Sequence, residues 1–519
     1  MTTSMPARRA SAIAAVGIVA ALALSSCSGS SPESTADAEL TWALVSAPQS
    51  LDNTKAISAV SYTVQAAMLE TLVHASRTGE IEPWLAESWT TPDDTTYVFT
   101  LRDDVTFWNG DPLTAEDVAF SLNRVAEDTS LTSYNFTAME EATATGDNEV
   151  TVTLNTVDPL FLPVAIASNG FIVQQAFAED AGEGLGDPDA LTMATGPYQP
   201  ESYSKTGDTV LTRYDGYWGE APAADTVTFT TITDAETMRI ALTQGQIDGT
   251  FEASLSDAER YESSDAVTTT LAPGLGMEYL SLDVREAPFD DVHLRKAIAY
   301  AVSKDDLVTA QLKGNGDPAD AIMTRPQLVA MFGEDGAELT DEIEVYDNDV
   351  DAAKKELAQS AYPDGLAIDA TFAEYDSVVF QVLQADLAEI GITLNGTSVS
   401  AEQFYDETGQ IDQPQGLRLI YTGYGSLDPW ETLRNVFTDS NTAGYTSTVA
   451  DENLGILSST LDEAERKAAI VAISQDLAEN VPYIPLYTED KLLVLGNDWA
   501  YEDFAPRGAD WIHRVTVAP

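Results

Sequence analysis

The segment that decides the fold is Pro83–Val125, with the sequence PWLAESWTTPDDTTYVFTLRDDVTFWNGDPLTAEDVAFSLNRV. Every second residue from Tyr97 to Leu101 is large and apolar, which predicts a half-buried strand. Val105–Trp108 predicts a second strand that closes on Asn109-Gly110, a pair that favours a tight turn. The first part of the segment therefore predicts β-structure with a turn at its end.

The second part of the segment predicts a helix with its own start signal. Thr114 is suited to cap the helix, and Asp117 stands at the capping-box position in place of the usual Glu or Gln. Val118, Leu122 and Val125 then form an apolar stripe at helical spacing. We therefore expect a helix that packs this stripe against the preceding strands.

The segment as a whole closely resembles the signature of the extracellular solute-binding proteins of family 5, the peptide, nickel and opine class that serves ATP-binding-cassette (ABC) importers. The resemblance runs from about Glu39 to the C-terminus. Further matches follow in the family's order at Thr195-Gly196-Pro197-Tyr198, Tyr214–Trp218, Gly245-Gln246-Ile247-Asp248, and Pro288–Asp291 leading into Leu294–Ala297.

Other segments give local signals that are compatible with this family. Val150–Leu154 predicts a strand, and Val379–Ile390 predicts an amphipathic helix stopped by Gly391. Leu294–Val302 has apolar residues at helical spacing, and this helix is predicted to end before the turn Gly314–Pro318. Alternating strands and helices are typical of an α/β protein.

The resemblance implies a periplasmic-binding-protein-like fold of the class II type, in which two α/β lobes joined by a hinge enclose the solute. Gly274-Leu275-Gly276 and Ile484-Pro485-Leu486 are the expected hinge crossings, and glycine at the first crossing suits either backbone rotation or an ordinary turn. The expected domains are a signal peptide at 1–26, a flexible tether at 27–38, lobe I at 39–82, 190–275 and 488–519, a lobe I subdomain at 83–189, and lobe II at 276–487.

The N-terminus has the pattern of a bacterial lipoprotein leader. Arg8 and Arg9 precede the apolar run Ile13–Leu24, and the small pair Ser25-Ser26 lies directly before Cys27, the one cysteine of the chain. The alternative is a transmembrane helix, but the run has about 12 residues where roughly 20 are needed to span a bilayer. By resemblance to a lipobox, Cys27 is expected to carry a lipid that anchors the protein at the outer face of the cell membrane.

Composition excludes several partners. The chain has 85 acidic and 25 basic residues, a formal net charge of −60, which repels nucleic acid and anionic lipid headgroups. The acid excess is typical of a solvated surface and does not specify a ligand. His74, His293 and His513 are too few and too scattered for a metal or a histidine-based catalytic site, so neither a metal nor a cofactor is expected.

Motifs for catalysis are missing. The sequence has no G-x-S-x-G, no H-E-x-x-H and no G-x-x-x-x-G-K-[ST]. Gly182–Gly186 follows no strand and is interpreted as a surface loop. Asp347, Asp349 and Asp351 have the first spacings of a calcium loop, but Ala352 replaces the required glycine, so Asp349 or Asp351 is interpreted as a helix cap.

The solute site is placed mainly by the resemblance, which implies that Tyr421–Trp430 lines the cleft from lobe II. Peptide-binding relatives carry an aspartate for the solute ammonium just before their Asp-Pro pair, where this chain has Tyr424, Gly425 or Ser426. Asp428 either replaces that partner or is a turn or cap residue before Pro429.

Arg325 and Arg418 are suited to clamp a carboxylate or to form surface ion pairs. The residues expected to bind the solute are Pro48, Leu51, Thr195, Phe251, Met277, Tyr279, Tyr421, Tyr424, Asp428 and Trp430; for Tyr421, Tyr424 and Trp430 a core role is equally compatible.

The functional hypothesis is a monomeric receptor that closes on a small solute, peptide-like by family precedent, and delivers it to ABC permease subunits with their ATPases. Opines, oligosaccharides and metal chelates remain open as solutes. Two alternative functions are an exported hydrolase with paired carboxylates in the cleft and a sensing receptor that takes no part in solute transport. The sequence favours the binding protein over the enzyme.

Overall fold

The computed structural model describes residues 38–519, except 77–78, 334–335, 411–412, 439–440, 505–507 and 509. The predicted leader, Cys27 and nearly all of the tether lie outside the described residues. Residues Asp37–Pro519 form one compact unit. Within the described part of the chain, no helix combines the length and the apolar character needed to cross a bilayer.

Strands and helices alternate along the chain, as the sequence predicts. The strands are β1 (Glu39–Leu44), β2 (Val73–Ala75), β3 (Ile81–Pro83), β4 (Ala86–Asp93), β5 (Thr96–Leu101), β6 (Met139–Gly146), β7 (Glu149–Leu154), β8 (Tyr198–Ser202), β9 (Thr209–Arg213), β10 (Thr226–Thr231), β11 (Gly249–Thr250), β12 (Val267–Leu282), β13 (Gly316–Pro318), β14 (Ala367–Ala373), β15 (Thr393–Val399), β16 (Leu417–Gly423), β17 (Tyr483–Gly496), β18 (Trp499–Tyr501) and β19 (Val515–Val517).

The helices cover both lobes. They are α1 (Ala59–Ala66), α2 (Ala115–Val125), α3 (Gln175–Ala181), α4 (Ala235–Thr243), α5 (Ala258–Glu262), α6 (Val292–Ala301), α7 (Lys304–Leu312), α8 (Arg325–Phe332), α9 (Ala337–Thr340), α10 (Val350–Leu357), α11 (Ser377–Glu389), α12 (Ala401–Thr408), α13 (Pro429–Phe437), α14 (Thr448–Leu457) and α15 (Glu463–Asn480), with a π-helix at Phe161–Asn169.

A mixed sheet runs through both lobes in the strand order β16-β12-β17-β11-β1-β10-β9-β8, with β13 added beside β17. Strand β1 pairs in parallel with β10 and β11, whereas β12 is antiparallel to both β16 and β17. The outer strands β8 and β9 form an antiparallel hairpin on β10. Parallel strands joined by helices and buried on both faces are typical of α/β lobes.

Strands β12 and β17 carry the chain between two sets of hydrophobic cores. Val267 of β12 packs with Val494 of β17 in a core that belongs to what we call lobe I. Further along β12, Leu280 packs with Leu486 in the core of what we call lobe II. The pairing register shifts between Pro273 and Gly276, where the ribbon passes from one lobe to the other. This irregularity lies at the junction of the two lobes, and we call it the hinge region.

The first expected hinge crossing coincides with this irregularity, and the second does not. Gly276 lies against the hydroxyl of Tyr421, so closely that an added Cβ would overlap it. Residues Glu489 and Asp490 of β17 face the register shift, while Ile484 and Leu486 are buried in the core of lobe II. A second register shift lies between Glu278 and Tyr279, opposite Tyr487 and Pro485, so the crossing at 484–486 stays a prediction.

The segment that decides the fold contributes β4 and β5 to a four-stranded antiparallel sheet in the order β4-β5-β7-β6, and its helix α2 packs on that sheet. The predicted capping box is confirmed: Thr114 Oγ1 accepts the Asp117 N–H at 3.2 Å, and an Asp117 carboxylate oxygen accepts the Thr114 N–H at 3.2 Å. Val118, Leu122 and Val125 are at most 1% exposed. The apolar stripe of α2 is therefore the face that packs on the sheet.

The second strand predicted in this segment does not form. Thr106 makes only an isolated bridge to Pro112. Trp108 instead donates its backbone N–H to the carbonyl of Ala194 at 3.1 Å and its indole N–H to the carbonyl of Gly196 at 2.9 Å. The prediction was wrong because Trp108 bonds to Ala194 and Gly196, and Thr106 pairs only with Pro112. The segment therefore joins no sheet.

Helix predictions in lobe II are confirmed with one difference. Helix α11 ends just before Gly391, whose φ of 86° only glycine adopts easily, and Asp349 caps α10 through its side chain. The apolar pattern from Leu294 is interrupted, because Ser303 caps a separate helix α7 after α6 ends at Ala301. Local capping thus divides what the apolar spacing presents as one helix.

Candidate functional site

A cavity of about 680 Å³ lies beside the hinge, between the two lobes. This volume is within the range of roughly 300–1,000 Å³ that holds small-molecule ligands. The floor is formed by residues of β12 at the register shift. The described residues that line the cavity are Tyr62, Ala75, Ser76, Gly79, Ile81, Pro163, Ala167, Ser168, Ala272, Pro273, Leu275, Arg325, Pro326, Val329, Ala330, Met331, Gly425, Ser426, Leu427, Asp428, Phe504 and Gly508.

Each wall comes from a segment with an identifiable local cause. On the side of lobe I, the π-helix presents Pro163, Ala167 and Ser168, and proline inside a helix favours such irregular turns because it lacks an N–H. On the side of lobe II, α8 begins at Arg325-Pro326, and proline in the first turn of a helix is favourable. The loop Gly425–Asp428 completes this wall.

The two lobes touch at the rim of the cavity. Leu160 and Val164, from the lobe I side, are 5% exposed and pack in the same core as Leu433 of α13. At another point, a Cβ added to Gly79 would lie 2.9 Å from the Cδ1 of Leu427. The cavity is therefore enclosed by apolar contacts between the lobes as well as by the hinge.

The loop that precedes α13 is held by hydrogen bonds from within lobe II. The Glu431 carboxylate accepts the N–H groups of Gly425 and Ser426 at 2.8–3.0 Å. The side-chain amide of Gln327 donates to the carbonyl of Ser426 at 3.1 Å. Because these backbone groups are satisfied by the protein itself, the loop presents a preformed surface to the cavity.

Asp428, at the end of this loop, is already engaged. Its Oδ1 accepts the N–H of Trp430 at 2.9 Å, which caps α13, and Nη2 of Arg466 lies 2.6 Å from both carboxylate oxygens. Arg466 is 4% exposed, and its Nη1 donates to the carbonyl of Leu457 at 2.7 Å. The charge of Asp428 is therefore balanced by a buried arginine.

Arg325 is the basic residue among the described residues of the lining. Its Nη1 lies 2.6 Å from the carboxylate of Asp317, and both side chains are more than a third exposed. A guanidinium has five N–H donors, so Arg325 can bond to a solute oxygen while it keeps its contact with Asp317. Apart from Asp428 and Arg325, the described residues of the lining are apolar or carry hydroxyl groups.

Residues 80–444 match the profile of the bacterial extracellular solute-binding proteins, family 5, middle region. The matched segment covers more than two thirds of the chain. This chain belongs to family 5 of the bacterial extracellular solute-binding proteins. The resemblance seen in the Pro83–Val125 segment is thereby confirmed.

Relatives of known name agree with this membership. The glutathione-binding protein GsiB of Salmonella typhi is 26% identical over 457 residues, which cover 85% of this chain and 86% of the relative. The substrate-binding protein CtaP of Listeria monocytogenes superposes with a TM-score of 0.82 at 22% identity, covering 93% of this chain and all of CtaP. These similarities confirm the two-lobe α/β fold.

Two solved structures of the same fold contain ligands. DppA of Helicobacter pylori, in complex with the peptide STSA, has a TM-score of 0.74 at 22% identity and covers 93% of this chain and 98% of DppA. NikA of Brucella suis, in complex with Fe(III)-EDTA, has a TM-score of 0.78 at 24% identity and covers 93% of this chain and all of NikA. The family 5 fold thus holds ligands of different chemistry.

Of the residues that the sequence suggested for the solute, the structure places Asp428 on the cavity. Phe251 lies one layer behind, with its ring 5.9 Å from that of the cavity residue Phe504. Tyr421 lies beside the hinge, where its hydroxyl donates to Glu489. The remaining seven are buried and outside the lining: Pro48, Leu51, Thr195, Met277, Tyr279, Tyr424 and Trp430.

The cavity wall of lobe II contains residues that the sequence did not single out. Val329, Ala330 and Met331 of α8 line the cavity, as does Leu427 next to Asp428. The one local signal for this wall was Arg325, noted as a carboxylate clamp. Arg418, noted for the same role, instead donates to the carbonyl of Thr371 at 3.2 Å, away from the cavity.

Thr195 belongs to a buried network that joins several family motifs behind the cavity. Glu70 is 3% exposed and accepts four hydrogen bonds, from Thr195 Oγ1 at 2.7 Å, Tyr217 Oη at 2.8 Å, Trp84 Nε1 at 2.9 Å and Trp218 Nε1 at 3.2 Å. Burial raises the pKa of Glu70, and the four donors oppose that rise. The network ties together segments that are distant in sequence.

A second buried carboxyl group lies on β12 beyond the hinge. Glu278 is 1% exposed, and its Oε1 has no hydrogen-bond partner among the described residues. Burial raises the pKa of Glu278 well above its usual range, and the charges of Asp376 and Glu489 raise it further. Burial also raises the pKa of Asp376 to about 7. The folded protein therefore favours protons on this pair.

We expect the contribution of Glu278 and Asp376 to the stability to fall as the pH rises from about 5 to 7. In this range the folded state keeps protons on Glu278 and Asp376 that the unfolded chain has lost, so deprotonation favours unfolding. Glu278→Gln removes one titrating group, so it should be more stable than the wild type at pH 8 and similar to it at pH 5. Urea midpoints at both pH values measure this.

The control for general charge repulsion is Glu87→Gln, on the exposed face of β4. It removes the same charge from an acidic surface and should leave the pH dependence nearly parallel to that of the wild type. If Glu278→Gln also follows the wild type in parallel, the buried pair does not govern the pH dependence.

Across the described residues, no group of three or more His, Cys, Asp or Glu side chains is placed to hold a metal ion. Asp428 is the acidic residue in the described cavity lining, so a pair of carboxylates does not face the cavity there. The site offers a shaped, mainly apolar space with a few polar groups.

Proposed function

We propose that this protein captures a short peptide or peptide-like solute in the cavity between its lobes and delivers it to an ABC importer. The supporting observation is the cavity itself, which is enclosed by both lobes, lies at the hinge, and has the volume of a small-molecule site. GsiB binds glutathione and DppA binds a tetrapeptide, and these relatives favour a peptide of a few residues.

Binding follows from the geometry of the hinge. When the lobes separate about β12 and β17, Pro163 and Ala167 on one wall move away from Leu427 on the other, and the cavity opens. A solute that contacts both walls binds the closed form more tightly and so shifts the population toward it. The permease then distinguishes the closed receptor from the open one. No bond is made or broken in this cycle, so the protein acts as a receptor and not as an enzyme.

The proposal also covers where the protein is located in the cell. Cys27 is proposed to be the lipidated first residue of the mature protein, followed by the tether at 27–38, which holds a monomeric receptor at the outer face of the cell membrane. The proposed domains are those expected from the sequence: lobe I at 39–82, 190–275 and 488–519, its subdomain at 83–189, and lobe II at 276–487. The shared core of Leu40, Phe229 and Leu495 supports the three-part lobe I.

The solute is identified by a thermal-shift screen of the full-length chain in mild detergent. The panel contains di- to octapeptide pools, opines, oligosaccharides and metal chelates. A solute at about 100 times its dissociation constant should add about 2.7 kcal/mol to the free energy of unfolding and raise the Tm by a few degrees. A shift with peptides supports the proposal. If only opines, oligosaccharides or metal chelates give a shift, that class replaces peptides as the proposed solute. No shift at all favours a sensing receptor.

A blocked cavity provides the control. Ala330 is exposed on α8 and lines the cavity, so Ala330→Trp fills it without disturbing the core. Ala388 is an exposed alanine of α11 outside the cavity lining, and Ala388→Trp is the matched variant. We expect the thermal shift to disappear in the first variant and to persist in the second. Persistence in both would place the solute elsewhere.

A further inference from the structure

We infer that the cavity selects solutes whose amino end carries no charge, such as N-acylated or otherwise amine-blocked peptides with apolar side chains. This inference rests on the proposed function and specifies the solute class of the same site. It depends on how the acidic groups of the protein are distributed, and on what Asp428, the acidic residue of the described lining, already contacts.

The cavity differs in charge from the rest of the molecule. Acidic residues number 85 in 519, yet of the 22 described residues that line the cavity only Asp428 is acidic. The lining also contains Arg325, whereas most of it consists of alanine, proline, glycine and larger apolar residues. The described lining therefore carries one acidic and one basic side chain, even though the protein as a whole is strongly acidic.

Asp428 is a poor partner for an ammonium group. Both of its oxygens lie 2.6 Å from Nη2 of Arg466, and Oδ1 also accepts the N–H of Trp430. An ammonium placed beside this pair meets a carboxylate and a guanidinium together, whose fields largely cancel. It gains little Coulomb energy and still loses its hydration shell.

Other acceptors near the loop are also engaged by the protein. Glu431 accepts two backbone N–H groups of the loop, and the carbonyl of Ser426 accepts from Gln327. A charged amine buried here without a partner loses its hydration and gains no compensating contact, which weakens binding. An N-acyl group removes that charge, and its methyl or alkyl part fits beside Val329, Met331 and Leu427.

The test compares matched ligands on the full-length chain by isothermal titration calorimetry. The probes are apolar di- and tripeptides, such as alanyl-leucine, each with a free amine and as the N-acetyl derivative. We expect the acetylated member to bind at least about tenfold more tightly at pH 6.5, where the α-amine is charged. From pH 6.5 to 9 the free-amine peptide should gain affinity relative to its acetylated partner, because the amine loses its proton.

The outcomes separate this inference from the proposed function. Tighter binding of acetylated peptides supports both. Equal or tighter binding of free-amine peptides at pH 6.5 overturns the inference and retains the peptide receptor. If neither series binds at millimolar concentration while an opine, sugar or chelate does, the peptide assignment itself fails, and the inference fails with it.

A gain-of-binding variant provides an independent measurement. Ala330→Asp adds an unpaired carboxylate to the cavity from an exposed helix position, and Ala330→Asn adds the same volume without charge. We expect the aspartate variant to bind free-amine peptides several-fold more tightly than the asparagine variant, and acetylated peptides no better. Equal affinities in the two variants would mean that the charge at this wall does not decide the selection.

Discussion

Glu70→Ala is expected to lower the free energy of unfolding by about 3–6 kcal/mol, the largest effect that we predict for one substitution. The substitution removes the acceptor for four donors, on Thr195, Tyr217, Trp84 and Trp218, in a site where Glu70 itself is 3% exposed. A buried donor without a partner costs about 1–3 kcal/mol, and part of this is recovered if water enters the space left by the side chain. The midpoint of urea unfolding measures the change.

Two further variants serve as comparisons for Glu70→Ala. Glu70→Gln has nearly the same shape and keeps one acceptor oxygen, but its NH₂ group faces donors, so we expect a loss of roughly half that of alanine. Glu82→Ala, on exposed β3, removes a nearby charge that contacts His74 at 3.4 Å but makes no hydrogen bond to Glu70, and it should be within about 0.5 kcal/mol of the wild type. A Glu70→Ala protein as stable as Glu82→Ala would show that the network contributes nothing to stability.

Asp428→Asn is expected to lower the free energy of unfolding by about 3–5 kcal/mol, the usual loss when one partner of a buried ion pair is removed. Arg466 is 4% exposed and stays charged, so the variant leaves a guanidinium without its carboxylate. Asparagine still caps a helix, so the N–H of Trp430 keeps its acceptor and the loss reports the ion pair. Urea unfolding at pH 7 measures it.

The double variant Asp428→Asn with Arg466→Met tests the cause. Removal of both charges leaves no uncompensated ion, and methionine fills much of the space of the arginine stem, so we expect most of the lost stability to return. If the double variant is as unstable as the sum of the two single variants, then the loss comes from packing or the cap and not from an isolated buried charge.

Local signals explain why part of the fold could be predicted. The alternation from Tyr97 to Leu101, the capping pair Thr114 and Asp117, and the cap at Asp349 each involve groups within a few residues of one another. Such features depend only on residues that are close together in the sequence, so the sequence is enough to predict them. Where a distant contact competes, the local signal fails, as for Trp108, whose backbone and indole N–H groups bond to Ala194 and Gly196.

The solute site could be predicted only in outline. The sequence pointed to the loop that ends in Asp428-Pro429, and this loop does line the cavity. It did not show that Tyr424 and Trp430 of the same stretch turn into the core of lobe II, or that α8 forms part of the same wall as the loop. Side chains of neighbouring residues point to different sides of the loop, and which side faces the core depends on the helix that packs against the loop.

The sequence by itself determined the family, the α/β class, the acidic character and the start of several helices, because these follow from composition, periodicity and ordered motifs. Only the tertiary structure decided the properties of the cavity. Arg466, 38 positions beyond Asp428 in the chain, balances its charge, and Glu70 gathers donors from segments up to 148 residues away. Such pairings arise when distant elements pack together, and the order of residues along one chain does not record which groups will meet.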